Sequence, residues 1–167
     1  MMGTSLIPST ALSYLFFWGL IGCLLFFALV IVLFRTGVVY TARKRDGTLR
    51  DEIPLSGKFA MLIIPLCLTL FLLLANKISL VQNDLTQNFW QIFRLNYDLY
   101  LILFLFDTFF IDGFTLTIWR PGFFKIPDEM GRESMSKHIL VSLPIGLVLG
   151  VFLTIIPSTA SYFLWVK

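Results

Sequence analysis

Two carboxyl side chains, those of Asp107 and Asp112, lie inside an apolar stretch that is long enough to cross a bilayer. On an insertion scale a central Asp costs about 2.5 to 3.5 kcal/mol, whereas each Leu, Ile or Phe contributes about −0.3 to −0.6 kcal/mol. The summed free energy of inserting residues 99–119 into lipid as an isolated helix is therefore close to zero. Their two acids must face other helices, another subunit or water. We predict that Asp107 and Asp112 bind or relay a cation or a proton.

The spacing of the two acids predicts where they point. In an α-helix, a separation of five residues corresponds to a rotation of about 140°. We therefore expect one carboxylate to point into the helix bundle and the other towards a subunit neighbour or a crevice that opens to the cytoplasm.

Two more titratable residues, Glu129 and His138, follow this stretch and are candidate partners of the acids at the inner face. With Asp112 or Glu129 as acid or base, and His138 as the group that titrates near neutral pH, they would suit a membrane enzyme. No nucleophile elbow, phosphate-binding loop, metal-ligand motif or haem-type histidine pair accompanies them. We therefore leave catalytic residues unassigned, expect no metal or cofactor, and lean against an enzyme.

The composition of the chain indicates the elements that position these residues. Of its 167 residues 57% are hydrophobic, and the mean hydropathy of +0.86 lies well above that of soluble domains. Four apolar runs have the length of membrane spans, and they cover residues 11–34, 59–80, 99–119 and 139–165. We predict one all-α domain over residues 1–167, a polytopic bundle of four transmembrane helices.

Basic residues are concentrated in two loops, 35–58 and 120–138. By the positive-inside rule both loops are cytoplasmic, so both termini lie outside. Within the first loop, Arg43, Lys44 and Arg45 are candidates for contact with anionic lipid headgroups, although the simpler interpretation is that they only orient the protein. The net charge of +3 arises at membrane ends rather than on a groove-sized face, so we expect no nucleic-acid partner.

A short amphipathic pattern separates the second and third runs. Leu85, Phe89, Phe93 and Tyr97 are spaced four residues apart, which puts them on one face of a helix. We predict a short helix in the outer membrane interface, where it anchors the protein or binds a partner.

The fourth run carries a small residue at every fourth position: Ser142, Gly146, Gly150, Thr154 and Ser158. This small stripe extends the GxxxG pattern, which lets another helix pack closely. The partner helix belongs either to the same chain or to a second copy.

A looser pattern joins the third and fourth runs. An acid within a span is followed by an aromatic residue, a proline-bearing loop that contains an Ile-Pro run and a glutamate, a histidine, and a glycine in the last span. The residues are Asp112, Trp119, Pro121, Ile126, Pro127, Glu129, His138 and Gly146. Over roughly residues 105–150 the chain resembles an uncharacterised group of small four-helix integral membrane proteins of prokaryotes. The resemblance implies a location in the inner (plasma) membrane, and it implies no reaction.

Three functions are open on this reasoning. The first is a transport or channel protein, for which we expect a homo-oligomer because four helices rarely enclose a pathway. The second is an accessory or interaction subunit of a larger membrane complex, in which polar side chains hold helices together. The third is the membrane enzyme with a site at the cytoplasmic interface. We favour the first because the two acids are costly in lipid.

Overall fold

The computed structural model of the chain describes residues 9–38, 54–83, 88–124 and 132–166, and every regular element within these ranges is helical. The four α-helices are α1 (Ser9–Arg35), α2 (Leu55–Asn83), α3 (Phe89–Leu105) and α4 (Arg132–Ser161). Three further elements are a π-helix that continues α3, here called the π segment (Phe106–Trp119), a 3₁₀ turn (Gly122–Phe124) and a π-helix that ends α4 (Tyr162–Val166).

Four helical stretches are long and apolar enough to cross a membrane, namely Ala11–Arg35, Gly57–Ser79, Phe89–Trp119 and Ile139–Val166. Their number and approximate positions confirm the all-α arrangement of four candidate spans that the sequence predicts. Pro65 in α2, and Pro144 and Pro157 in α4, lie inside these helices without ending them. Proline is tolerated in membrane helices because neighbouring groups satisfy the backbone carbonyl that it leaves without a donor.

The third span begins ten residues earlier than the sequence predicts, at Phe89 rather than at residue 99. Asn88 caps this end in an extended conformation (φ −137°, ψ 156°), and its side chain accepts a hydrogen bond of 3.0 Å from the Gln91 amide. Phe89, Phe93 and Tyr97, which we expected in a separate interfacial helix, therefore lie in the first part of α3, and Leu85 lies outside the described residues. A four-residue apolar spacing describes a helix face equally well in both cases, so the pattern could not exclude a continuous helix.

Close packing between α3 and its neighbours forms the interior of the bundle. The helix packs against both α1 and α4, and α4 also packs against α2. Two apolar clusters result: the first contains Tyr14, Trp18, Leu72, Ala75 and Leu99, and the second contains Val30, Phe34, Ile111, Leu116 and Phe124. Because lipid tails are as apolar as these side chains, such contacts favour assembly through close packing rather than through escape from water.

The third span ends at Arg120, whose positive φ of 48° turns the chain away from the helix axis. Its amide donates to the Thr115 carbonyl over 2.8 Å, and Pro121 follows, which cannot continue the helical hydrogen bonding. The 3₁₀ turn then brings the Phe124 ring to 5.3 Å from the Phe34 ring, measured between centroids. This contact fixes the end of the π segment against α1.

Candidate functional site

The π segment places the two predicted acids on one face of the third span. A π-helix is hydrogen-bonded from residue i to residue i+5, and its turn of about 4.4 residues places residues five apart roughly 50° apart around the axis. The Arg120 amide follows this pattern with Thr115, and the Thr117 hydroxyl donates to the Asp112 carbonyl five residues back over 2.7 Å. Asp107 and Asp112 are separated by five residues and therefore share a face.

This arrangement differs from the rotation of about 140° that α-helical geometry predicts for a five-residue separation. The rotation expected of an α-helix does not apply here, because the backbone is π-helical from Phe106. Both acid side chains are half-buried, and they lie closer to one face of the helix than the sequence predicts. We refer to these two carboxylates as the acid pair.

The π segment that carries the acid pair packs against α4. Before this segment, the Tyr100 hydroxyl donates a hydrogen bond of 2.7 Å to the Gly146 carbonyl in α4. Gly113, which follows Asp112, lies near Ile139, since a Cβ on the glycine would be 3.9 Å from the Ile139 Cδ1 atom. The two carboxylates therefore lie near the seam between the third and fourth spans.

Threonine hydroxyls add further polar atoms to the π segment. Thr108 and Thr115 are buried, and Thr117 is half-buried. The Thr115 hydroxyl donates its hydrogen to the Phe110 carbonyl over 2.8 Å. The lone pairs of its oxygen can still accept a hydrogen bond or coordinate a cation. The oxygen atoms that this segment offers to a proton or a cation are thus those of carboxylates and hydroxyls.

Other predicted site residues fall where their side chains cannot be placed. Glu129, Arg43, Lys44 and Arg45 lie outside the described residues, and His138 is described only as part of the α4 backbone. Their roles at the inner face remain predictions. Among the described residues, no group of three or more His, Cys, Asp or Glu side chains lies together.

The small stripe on α4 contacts α3 of the same chain. A Cβ on Gly146 would overlap the Phe104 ring, and a Cβ on Gly150 would overlap the Tyr100 ring. Thr154 and Ser158 are fully buried, and Ser142 is half-buried. Gly146 and Gly150 therefore leave notches in the surface of α4, and aromatic rings from α3 of the same chain fill these notches.

The rings that fill these notches belong to a stacked series along α3, which we call the aromatic column: Phe89, Phe93, Tyr97, Tyr100 and Phe104. Its two tyrosines also bind α4 through their hydroxyls, Tyr100 to the Gly146 carbonyl and Tyr97 to the Leu147 carbonyl over 3.2 Å. Tyr97, which we predicted to face the outer interface, thus joins α3 to α4.

A buried polar network connects α1, α2 and α4, and the sequence reasoning missed it. The Tyr14 hydroxyl donates to the Asn76 Oδ1 atom over 3.2 Å, and the Asn76 Nδ2 atom donates to the Ser161 hydroxyl over 2.9 Å. The Trp18 indole donates to the Ser79 hydroxyl over 3.0 Å. Asparagine within an apolar run was the signal that could have revealed this network, because an amide in lipid needs partners.

Asn96 makes the corresponding link between α3 and α4. Its Nδ2 atom donates to the Ser158 hydroxyl over 2.8 Å, and the residue has no exposed surface. It lies on the third span eleven residues before Asp107.

Comparison with family models, with curated proteins and with solved structures gave no match to this chain. The carboxylate pair, its π-helical backbone and the seam with α4 are therefore interpreted from their own geometry.

Proposed function

We propose that this chain is a small polytopic membrane protein of the transport or channel type, in which Asp107 and Asp112 bind or relay a proton or a small cation. The observation that carries the proposal is the shared face of the two acids on the π segment. Two carboxylates held together in surroundings of low dielectric repel each other, and a proton or a cation bound between them relieves that repulsion.

Two further features support this proposal. π-helical turns inside longer helices occur often at functional sites, because they change which side chains face each other. Ionisable residues within membrane spans are expensive, and they commonly mark ion pathways or proton relays. A structural role alone would not need two like charges on one face, since hydroxyl or amide side chains could link the helices without repulsion.

The membrane arrangement belongs to the same proposal. The positive-inside rule supports cytoplasmic loops at residues 35–58 and 120–138, outer termini, and a prokaryotic inner membrane. Leu62, Leu140 and Leu164 are among the large apolar side chains that are exposed on the bundle, as expected of surfaces that meet lipid or another subunit. We propose a homo-oligomer because one copy offers few helices with which to enclose a pathway.

Ion flux into liposomes tests the proposed function. Purified protein is reconstituted with a pH-sensitive dye or a cation-sensitive dye inside, and flux is measured after a concentration gradient is imposed. We expect wild-type flux above that of protein-free liposomes, and loss of this flux in Asp107→Asn and in Asp112→Asn. Asp98→Asn is the matched control, because Asp98 lies near the outer end of the same helix and pairs with exposed Arg94 at 3.8 Å.

Two results would contradict the proposal. Wild-type protein that carries no flux would exclude the transport function under these conditions. Unchanged flux in both acid variants would exclude the acid pair as the ion site. If there is no wild-type flux and the acid variants dissociate the oligomer, the accessory-subunit alternative replaces the proposed function.

A further inference from the structure

The carboxamide of Asn96 has one end without a partner. Its Nδ2 atom donates to the Ser158 hydroxyl, but its Oδ1 atom is buried and accepts no hydrogen bond from any residue that the structure describes. The Ser158 hydroxyl in turn donates to the Thr154 carbonyl over 2.6 Å. A serine hydroxyl has one hydrogen, so Ser158 accepts from the Asn96 amide and has no hydrogen left to give to it.

This hydrogen-bond order fixes the orientation of the amide. Rotating the carboxamide by half a turn would place Oδ1 beside Ser158 and leave both hydrogens of Nδ2 without an acceptor. The alternative orientation therefore loses more than the observed one, and neither satisfies both ends of the group. A buried polar atom without a partner is costly, and such atoms are usually bonded to ordered water.

Asn76 shows the satisfied counterpart of this arrangement. It is buried to the same degree, but its Oδ1 atom accepts from the Tyr14 hydroxyl and its Nδ2 atom donates to the Ser161 hydroxyl. The same chain thus contains two buried asparagines at helix contacts, one with both ends bonded and one with a single free acceptor. The difference points to a ligand at Asn96 in particular.

We propose that Asn96 binds a buried water molecule, which donates a hydrogen bond to the Oδ1 atom, and that this water is the outer step of a proton route to Asp107. A small ligand is required because Asn96 has no exposed surface. Water suits the site because it both donates and accepts hydrogen bonds. It can therefore donate to Oδ1 and also form a hydrogen bond with the next group along the route.

The positions along the third span support the route. Tyr100 and Asp107 follow Asn96 by four and eleven residues, spacings that share one face of a helix. The Tyr100 side chain lies between Asn96 and Asp107 along the chain, and its hydroxyl oxygen, which donates its hydrogen to the Gly146 carbonyl, can still accept a hydrogen bond from water. This part of the inference rests on the proposed function, and it identifies the transported species as a proton rather than a metal cation.

Nuclear magnetic resonance of wild-type protein in detergent micelles tests the water site. The protein is labelled with ¹⁵N-asparagine, and cross-relaxation between water and each side-chain amide is measured, with assignment from Asn96→Gln and Asn76→Gln. We expect a long-lived water contact at Asn96 and none at Asn76. Absence of a contact at Asn96, or equal contacts at both residues, would overturn the assignment of a specific water.

The liposome assay tests the route separately. Asn96→Leu removes the polar group that holds the water, and we expect proton flux to fall towards that of protein-free liposomes while the oligomer is retained. Asn76→Leu is the matched control, because it removes an equally buried amide elsewhere, and we expect the folded fraction of that variant to retain flux. If Asp107→Asn abolishes proton flux and Asn96→Leu leaves it unchanged, the route is overturned and the proposed function stands.

The choice of ion provides a further distinction. Wild-type flux of Na⁺ or K⁺ without proton flux would overturn the proton route and leave the acid pair as a cation site. Absence of all flux would contradict the proposed function, whereas the water contact at Asn96 in micelles would still be measured independently. Should Asn96→Leu fail to fold, the spectra of the wild-type protein still decide whether the water is present.

Discussion

At the scale of single residues, the buried polar atoms at the helix contacts need hydrogen-bond partners. Asn76 connects Tyr14 in α1 to Ser161 in α4. Hydrogen bonds between membrane helices contribute about 0.6 kcal/mol on average and up to about 1.7 kcal/mol, because the separated helices also find other partners. The network is therefore a moderate stabiliser, and its bonds join three different helices.

We predict that Tyr14→Phe lowers the free energy of unfolding by about 0.6 to 1.7 kcal/mol. The change removes one hydroxyl and leaves the Asn76 Oδ1 atom without its donor. Unfolding in mixed detergent micelles measures the effect. Tyr162→Phe is the control, because the Tyr162 hydroxyl makes no hydrogen bond within the described part of the chain. Equal stability of Tyr14→Phe and wild type would show that the network does not stabilise the fold.

At the scale of the elements, the contact between the third and fourth spans depends on aromatic rings of α3 that fill the notches in α4. Phe104 and Tyr100 occupy the space that side chains at Gly146 and Gly150 would fill. Small residues in membrane helices commonly allow two backbones to approach each other. Here the same pattern admits aromatic side chains, and the tyrosine hydroxyls bind carbonyls of the facing helix.

We predict that Gly150→Ala destabilises the protein by about 1 to 3 kcal/mol, because the new methyl group would overlap the Tyr100 ring. Gly122→Ala is the control, since no atom lies within 4 Å of the position that its Cβ would take. Both variants are compared by unfolding in mixed micelles. An effect of similar size at both positions would contradict the notch interpretation.

The π segment leads to a prediction that separates it from an α-helix. In a chain whose Cys23 and Cys67 are replaced by serine, the pair Asp107→Cys and Asp112→Cys should bind Cd²⁺ through both thiolates, as should the pair Asp107→Cys and Ile111→Cys. Residues four and five apart both lie near one another on a π-helix, whereas residues five apart on an α-helix are rotated by about 140°. Titration with Cd²⁺, followed by thiolate absorbance, measures binding, and binding by the second pair alone would show an α-helical segment.

Particular residues show how much of this structure could be predicted from the sequence. Four candidate spans follow from hydropathy and length alone, because lipid requires long apolar helices. The pairing of Asp107 with Asp112 could not be predicted, since its angle depends on a change of helical pitch that no periodicity announces. The start of α3 at Phe89 and the hydrogen bonds of Asn76 and Asn96 could not be predicted either, because they depend on contacts between helices.

At the scale of the whole molecule, the four proposed crossings would place residues 9 and 166 on the same side of the membrane. The third span, Phe89–Trp119, is the longest of the four candidates, with 31 residues. At about 1.5 Å per residue, an α-helix of that length exceeds a hydrocarbon core of roughly 30 Å. One end of this span must therefore extend into the interface or the span must tilt.

We predict that Lys44→Cys is labelled by a membrane-impermeant thiol reagent only from the cytoplasmic side, and that Gln91→Cys is labelled only from the outer side. Gln91 is exposed in the first turns of α3. Both variants carry no other cysteine, and labelling of intact cells is compared with labelling of inverted vesicles. Labelling of both positions from the same side would contradict the proposed topology.

The pitch of the π segment also bears on how this chain can vary over generations. The two carboxylates lie on one side of the helix because of the number of residues between them and the pitch of the backbone, and not because of the chemical identity of those residues. Exchanging one apolar residue for another between positions 107 and 112 preserves this arrangement. Inserting a residue there would rotate the acids away from each other, so descendants of this gene should tolerate apolar substitutions in this stretch better than insertions.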